Sequence, residues 1–225
     1  MDFLNCCAIV GSASFDAGHF LHEYEAGSFA CVVAADGGFA SLEAAGIAPD
    51  VALGDFDSLG YVPQAPRVER HPVMKDATDL ELALEWAQRE GCASAAVYGA
   101  LGGRLDQTMA TLQTLVHFAR RGLQVAAVGE GYVIVVLSSA GANAKETADS
   151  LSISTGLSGI VSVCAMGGDA RVTERGLLYE IENATLPFDS SLGVSNEFTG
   201  RAAHIEVLEG DVIVFLPAVS LNALK

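Results

Sequence analysis

The stretch Ala95-Ala96-Val97-Tyr98-Gly99-Ala100-Leu101-Gly102-Gly103-Arg104-Leu105-Asp106-Gln107 decides the fold of the N-terminal part of the chain. Ala95–Tyr98 reads as a short apolar strand. After a loop with three glycines, Leu105, Met109, Leu112, Val116 and Ala119 recur at helical spacing up to Arg120-Arg121-Gly122. A further apolar run follows at Gln124–Val128. Strand, loop, helix and strand in this order make a βαβ unit. Similar runs stand at Cys6–Val10, Phe29–Ala34, Val51–Leu53 and Tyr132–Leu137, with another helical pattern at Leu80, Ala83, Leu84 and Ala87. Continuous apolar runs alternating with helices predict a doubly wound, mostly parallel sheet covered on both faces.

After the small residues Ser138–Asn143 the pattern changes to strands without long helices, at Ser150–Ser154, Gly159–Ala165, Gly176–Ile181, Ala203–Leu208 and Asp211–Leu216. Glu209-Gly210-Asp211 between two alternating runs is a hairpin signal. The fold class expected is therefore α/β plus all-β. An α/β domain spans residues 1–140, and a small C-terminal β-sandwich spans residues 141–225.

Composition excludes several functions. The 225 residues carry 12 Lys+Arg against 28 Asp+Glu, a formal net charge of −16, without a basic run. Binding to nucleic acid or to an anionic membrane needs Lys and Arg to neutralise phosphates, so neither is expected. A polyanionic ligand must arrive with metal. Cys6, Cys7, Cys31, Cys92 and Cys164 form no Cys-x-x-Cys pair and no zinc spacing, which fits a reduced cytoplasm. The N-terminus has no positively charged leader pattern, and no purely apolar stretch, Tyr132–Leu137 included, approaches the ~20 residues that span a bilayer.

Four segments can carry chemistry. Gly54-Asp55-Phe56-Asp57-Ser58 follows a short strand, where open α/β sheets bind ligands. Alternation there turns Asp55 and Asp57 to one side and Phe56 into the core, and two convergent carboxylates suit a hard cation such as Mg²⁺. The same residues also suit a self-bonding turn. Lys75-Asp76-Ala77-Thr78-Asp79-Leu80-Glu81 contains a capping box, Thr78 to Glu81, while Lys75 beside Asp76 and Asp79 can serve a metal–phosphate ligand at a helix N-terminus. Gly99, Gly102 and Gly103 let backbone N–H groups approach an anion, Arg104 can fork onto phosphate oxygens, and Asp106 can orient Arg104 or hold a metal-bound water. Asp36-Gly37-Gly38 is a similar acid at a strand end. The scattered histidines and the lack of a Gly-x-Ser-x-Gly elbow speak against a hydrolase.

Taken in order, Asp36-Gly37-Gly38, Gly54-Asp55-Phe56-Asp57-Ser58, Lys75-Asp76-Ala77-Thr78-Asp79, Gly102-Gly103-Arg104-Leu105-Asp106, Gly176-Leu177-Leu178-Tyr179 and Ser195-Asn196-Glu197-Phe198 resemble thiamine pyrophosphokinase. The resemblance runs from about residue 6 to residue 216. It implies transfer of the β,γ-pyrophosphoryl group of ATP to thiamine, giving thiamine diphosphate and AMP. It also implies a homodimer with each active site between subunits. Carried onto this sequence, it implies Mg²⁺ on Asp55, Asp57 and Asp79, and nucleotide contacts from Asp36, Gly37, Lys75, Asp76, Gly102, Gly103, Arg104 and Gln107. Tyr179, Ser195 and Asn196 would line the thiamine site, and Asp79 and Asp106 are candidates to accept the alcohol proton. Gln107 stands where the family often has His, and Tyr179 where some members have Trp. A pyrophosphokinase for another hydroxymethyl heterocycle, such as a pterin alcohol, and a non-catalytic nucleotide- or thiamine-binding module are the alternative readings.

Overall fold

The computed structural model describes residues 1–57, 59–72, 76–140 and 149–225. The chain forms two compact units, one of Leu4–Thr114 with Ala127–Glu130, the other of Met1–Phe3, Leu115–Ala126 and Gly131–Lys225.

The first unit is α/β. Its elements run β1 (Cys6–Val10), α1 (Ala17–Glu25), β2 (Phe29–Ala35), α2 (Gly38–Ala44), β3 (Val51–Gly54), β4 (Arg67–Arg70), α3 (Asp79–Arg89) and β5 (Ser94–Tyr98), and helix α4 (Leu105–Arg120) begins in it. The strands pair in parallel in the order β5-β1-β2-β3-β4, with Cys7 opposite Cys31 and Ala95. Every residue of β1 and β5 is buried, which is why both read as unbroken apolar runs. Helix α1 lies outside the sequence expectation. Asp16 caps it, accepting from the His19 N–H at 2.9 Å. Its periodicity is broken by Glu23, a fully buried carboxylate that accepts from the Ser28 hydroxyl at 2.6 Å. Strand β4 also escapes the apolar pattern, because Arg67-Val68-Glu69-Arg70 is a charged edge strand with one apolar residue.

The second unit is antiparallel. Strand β6 (Gln124–Gly129), whose residues divide between the two units, leads to β7 (Tyr132–Ser138), β8 (Asp149–Ile153), β9 (Ser158–Ala165), β10 (Ala170–Arg175), β11 (Ile181–Leu186), β12 (Asn196–Thr199), β13 (Ala203–Glu209) and β14 (Asp211–Pro217). One layer pairs β12-β9-β14-β7 and the other β11-β10-β13-β8. Alternation sets the core: Leu151 and Ile153, Ala170 and Val172, and Ala203, Ile205 and Val207 are buried. The α/β plus β-sandwich class expected from the sequence is therefore the one observed.

Two expectations need correction. The strand expected at Gly176–Ile181 ends at Arg175 and resumes at Ile181. Gly176 has φ +78, and a Cβ there would stand 1.9 Å from the Ala202 carbonyl oxygen, so the chain must turn at this glycine. Tyr179 thus lies in a connection, and the Leu177/Tyr179 alternation only imitates a strand. The apolar stripe of α4 is also misleading in its first turns. Leu105 is 82% and Met109 50% exposed, while Leu115, Val116, Phe118 and Ala119 are buried.

The buried Asp211 joins the ends of several elements in this unit. It accepts from Arg120 Nε at 2.8 Å and from the buried Ser138 hydroxyl. Removing it takes the acceptor from the buried Ser138 O–H, although the half-exposed Arg120 can turn to water. Asp211→Ala should therefore cost about 3 kcal/mol of unfolding free energy, read as a lower urea midpoint at unchanged slope. Among the described residues no helix is long and apolar enough to cross a membrane.

Candidate active site

The C-terminal ends of β1, β2, β3 and β5 meet at one edge of the parallel ladder, and the loops that leave them build the site. Two glycines let the first and last of these loops touch. A Cβ on Gly99, at φ +61, would lie 2.4 Å from the Gly11 oxygen. The strand ends are tied there by Gly11 N–H to Tyr98 O at 2.8 Å and Ala13 N–H to Gly99 O at 2.7 Å. A cleft of about 560 Å³ opens at this edge. Gly11–Ser14, Ala35, Asp36, the α3 N-terminus at Thr78–Leu80, Gly99, Gly102–Arg104 and Gln107 line it, with Ala110, Thr111 and Thr114 of α4. Its size suits a nucleotide-sized ligand.

Three carboxylates converge in this unit. Asp36, Asp55 and Asp57 each place an oxygen within 4.8 Å of the others. The local backbone explains the convergence. Phe56 buries its ring as the sequence pattern expects, but it does so at φ +62, a left-handed turn in place of the extended alternation, and Asp55 and Asp57 flank this anchored residue. Asp36 adopts φ +44, and its carboxylate accepts from the Phe56 N–H at 3.1 Å, which holds the β2 and β3 loops together. Asp55 accepts from the Asp57 N–H at 3.1 Å. The group is thus completed by Asp36, whereas Asp79 stands at the start of α3 on the cleft wall. Oxygen-only donors of this kind suit a hard divalent cation.

Around the carboxylates, the capping reading of Thr78 holds, since its hydroxyl accepts from the Glu81 N–H at 3.2 Å. Thr78 and Asp79 also line the cleft, so one segment caps the helix and faces the ligand space. Asp76 is exposed just before it, while Lys75 and Ser58 lie outside the described residues. Arg104 and Asp106 form a two-pronged ion pair, Nε to Oδ1 at 3.1 Å and a terminal nitrogen to Oδ2 at 2.6 Å. The pairing pushes Arg104 up and Asp106 down from their ordinary pKa values. Of the roles that the sequence allows Asp106, the geometry displays the orienting of Arg104.

Sequence reasoning misses the residues that hold the glycine loop. Thr108 accepts from the Gly102 N–H at 3.2 Å, and Thr111 donates to the Ala100 carbonyl at 2.9 Å. Two threonines on the first turns of a helix, three apart and facing a glycine loop, are the available signal.

Tyr179, Ser195 and Asn196 belong to the second unit. Asn196 is buried at the start of β12, a strand absent from those expected from the apolar pattern. Its amide nitrogen donates to Tyr179 O at 2.7 Å and to Glu174 Oε2 at 3.2 Å, and its oxygen accepts from the Tyr179 N–H at 3.0 Å. Asn196 therefore clamps the backbone that presents the exposed Tyr179 ring. Ser195 adopts φ +62 and donates its N–H to the Ser162 hydroxyl at 3.0 Å.

Glu174 is a further polar residue of interest, detectable in the sequence as an acid at an inward position of the Ala170, Val172, Glu174 alternation. Burial pushes its carboxyl up to about 7 from 4.5, against the Asn196 hydrogen bond, and its Oε1 is buried without a hydrogen-bond partner among the described residues. Folding thus favours the protonated acid. Its stabilising contribution is complete below pH 4.5 and is lost as pH rises through about 7. Glu174→Gln should flatten the stability profile in that window, removing a decline on the order of 3 kcal/mol. Urea melts of both proteins across the window check this; parallel profiles would show that Glu174 is ionised in the fold.

Comparison with known proteins matches the same two regions. The family model described as thiamin pyrophosphokinase, catalytic domain, matches residues 25–127. The model described as thiamin pyrophosphokinase, vitamin B1 binding domain, matches residues 151–211. Thiamin pyrophosphokinase 1 of Caenorhabditis elegans is 27% identical over 158 residues, covering 67% of this chain and 63% of its own. Thiamine pyrophosphokinase of Bacillus subtilis is 32% identical over 99 residues, 41% of this chain and 46% of its own. The matches thus span less than two thirds of these relatives' length. Among solved structures, thiamine pyrophosphokinase from Bacillus subtilis superposes with a TM-score of 0.78 at 22% identity, covering 94% of this chain and 98% of the other. Thiamin pyrophosphokinase from Geobacillus thermodenitrificans gives 0.74 at 25% identity, covering 95% and 98%.

Proposed function

The chain belongs to the thiamin pyrophosphokinase family, and we propose that it transfers the β,γ-pyrophosphoryl group of ATP to the hydroxyl of thiamine, giving thiamine diphosphate and AMP. The observation that carries this reading is the convergence of Asp36, Asp55 and Asp57 in the unit whose strand ends form a glycine-lined cleft. A polyphosphate entering a protein of net charge −16 needs cationic help.

The three carboxylates fit Mg²⁺, being hard oxygen donors without sulfur or nitrogen, and Asp36, Asp55 and Asp57 would hold it. Bound there, the ion supplies charge neutralisation for the phosphates and for the leaving AMP. The chain's own groups do the rest. Backbone N–H groups at Gly37 and Gly103 bind phosphate oxygens, in a loop that Thr108 holds through the Gly102 N–H, and Arg104, oriented by Asp106, turns its remaining N–H groups onto them. Lys75, Asp76 and Gln107 complete the nucleotide contacts. Such groups act by positioning the β-phosphorus in line with the incoming alcohol and by stabilising charge. Asp79, which lines the cleft, would accept the alcohol proton.

Tyr179, Ser195 and Asn196 hold thiamine, with the tyrosine ring offering a face to a cationic heterocycle. We assign the protein to a homodimer in which this surface meets a second copy's α/β unit. Exposed Ile160, Leu178, Tyr179, Phe188, Leu192 and Val194 give it the apolar character of an interface. Five unbridged cysteines suit the cytoplasm.

The test is product analysis after mixing the protein with thiamine, ATP and Mg²⁺, with and without chelator. Equal amounts of AMP and thiamine diphosphate, lost on chelation, are expected. ADP with thiamine monophosphate, or turnover only with a pterin alcohol, would overturn the assignment.

A further inference from the structure

A second constellation lies in the α/β unit, among residues that the proposed reaction does not use. Cys7 of β1, Cys31 of β2 and Cys92, in the connection from α3 to β5, place their sulfurs within 4.8 Å of one another. The ladder explains the first pair: Cys7 and Cys31 are register partners in parallel strands, so their side chains leave the same face of the sheet. Helix α3 lies against β1, β2 and β3, and its C-terminal turn delivers Cys92, whose N–H donates to Ala87 O at 3.0 Å. Cys7 is fully buried, whereas Cys31 and Cys92 are partly exposed.

We propose that Cys7, Cys31 and Cys92 form a three-thiolate site for a thiophilic divalent cation of the zinc class. The spacing suits it: metal–sulfur bonds of roughly 2.3 Å put the three sulfurs about 4 Å apart. The donor set is all sulfur, which selects soft d¹⁰ ions over Mg²⁺. Local charge also favours a cation, since the site adjoins the C-terminal end of α3 and Glu90 lies nearby. Binding exchanges the sulfur-bound protons for metal–sulfur bonds, so the sulfur is neither oxidised nor reduced and protons are released to solvent.

The site sits where β1 and β2 begin, and the carboxylates sit where β2 and β3 end. It is therefore separate from the proposed Mg²⁺ centre by the length of the strands. Its occupant would join two strands and the α3–β5 connection, raising the melting temperature without entering the reaction.

The test is titration of the reduced, full-length protein with Cd²⁺, following the ultraviolet thiolate-to-metal charge-transfer band, with Zn²⁺ as competitor. Carboxylates give no such band, so the Mg²⁺ centre is silent in it. One equivalent of tight binding is expected, displaced by Zn²⁺ and untouched by excess Mg²⁺, with protons released. Cys31→Ser and Cys92→Ser should each weaken binding about 100-fold, while Cys164→Ser, in the other unit, should leave it unchanged. Circular dichroism confirms that each variant is folded, and the partly exposed Cys92, outside any strand, keeps the test valid should Cys31→Ser unfold. A band that survives in both variants, or binding no tighter than to the urea-unfolded chain, would overturn the site.

Discussion

Asp57→Asn should lower turnover by about 10³-fold while leaving the metal-free melting temperature unchanged or slightly raised. The two halves of this expectation have one cause. Three carboxylates with oxygens within 4.8 Å repel one another, and replacing one by an amide removes part of that repulsion. The Asp57 N–H that bonds to Asp55 is a backbone group and survives the substitution, so the loop keeps its shape. What is lost is the negative charge that would hold Mg²⁺. Thermal melts with and without Mg²⁺ separate the effects: the wild type should gain stability with the ion, and the variant should gain much less. A drop of many degrees in the metal-free melt would instead make Asp57 a structural turn residue and sink the metal assignment.

The second large effect is on folding. Gly38→Ala should cost about 4 kcal/mol, because a Cβ there would lie 1.9 Å from Val10 O. That carbonyl ends the fully buried strand β1, so it cannot rotate away without disturbing the strand's hydrogen bonds to both neighbours. Helix α2 must move instead, and Asp36 lies only two residues before Gly38. The variant should therefore lose Mg²⁺-dependent stabilisation as well as intrinsic stability. Urea unfolding followed by circular dichroism gives the first number and the same melt with Mg²⁺ the second. A loss below about 1 kcal/mol would mean that the contact relaxes freely.

How much of the molecule is legible in its sequence follows from where each signal lies. The strands Cys6–Val10 and Ser94–Tyr98 are buried throughout, so their apolar runs are contiguous in sequence and easily read. Asp55 and Asp57 are equally local, two residues apart with the buried Phe56 between them. Asp36 joins them only through a left-handed backbone and a hydrogen bond to Phe56 twenty residues away, which no spacing rule contains. Helix α1 is hidden because its buried Glu23 is satisfied by Ser28, a partner beyond the helix. Tyr179 reads as a strand residue because Gly176, whose close approach to Ala202 forces the turn, leaves no trace in the apolar pattern. Cys7, Cys31 and Cys92 have no ligand spacing in sequence, since a parallel ladder brings together positions separated by whole crossovers.

The charged strand β4 has a consequence for how the protein behaves when crowded. An outermost strand exposes unpaired N–H and C=O groups, and any extended segment of another molecule can adopt them as a template for fibril growth. Here an incoming chain meets the charges of Arg67, Glu69 and Arg70, which are held in ion pairs linking Arg67 to Glu69 and Glu90, and Arg89 to Glu69. Growth of the sheet by addition of further molecules is thereby halted at this strand. The protein can be concentrated, or linger partly folded during synthesis, without this edge seeding insoluble aggregates.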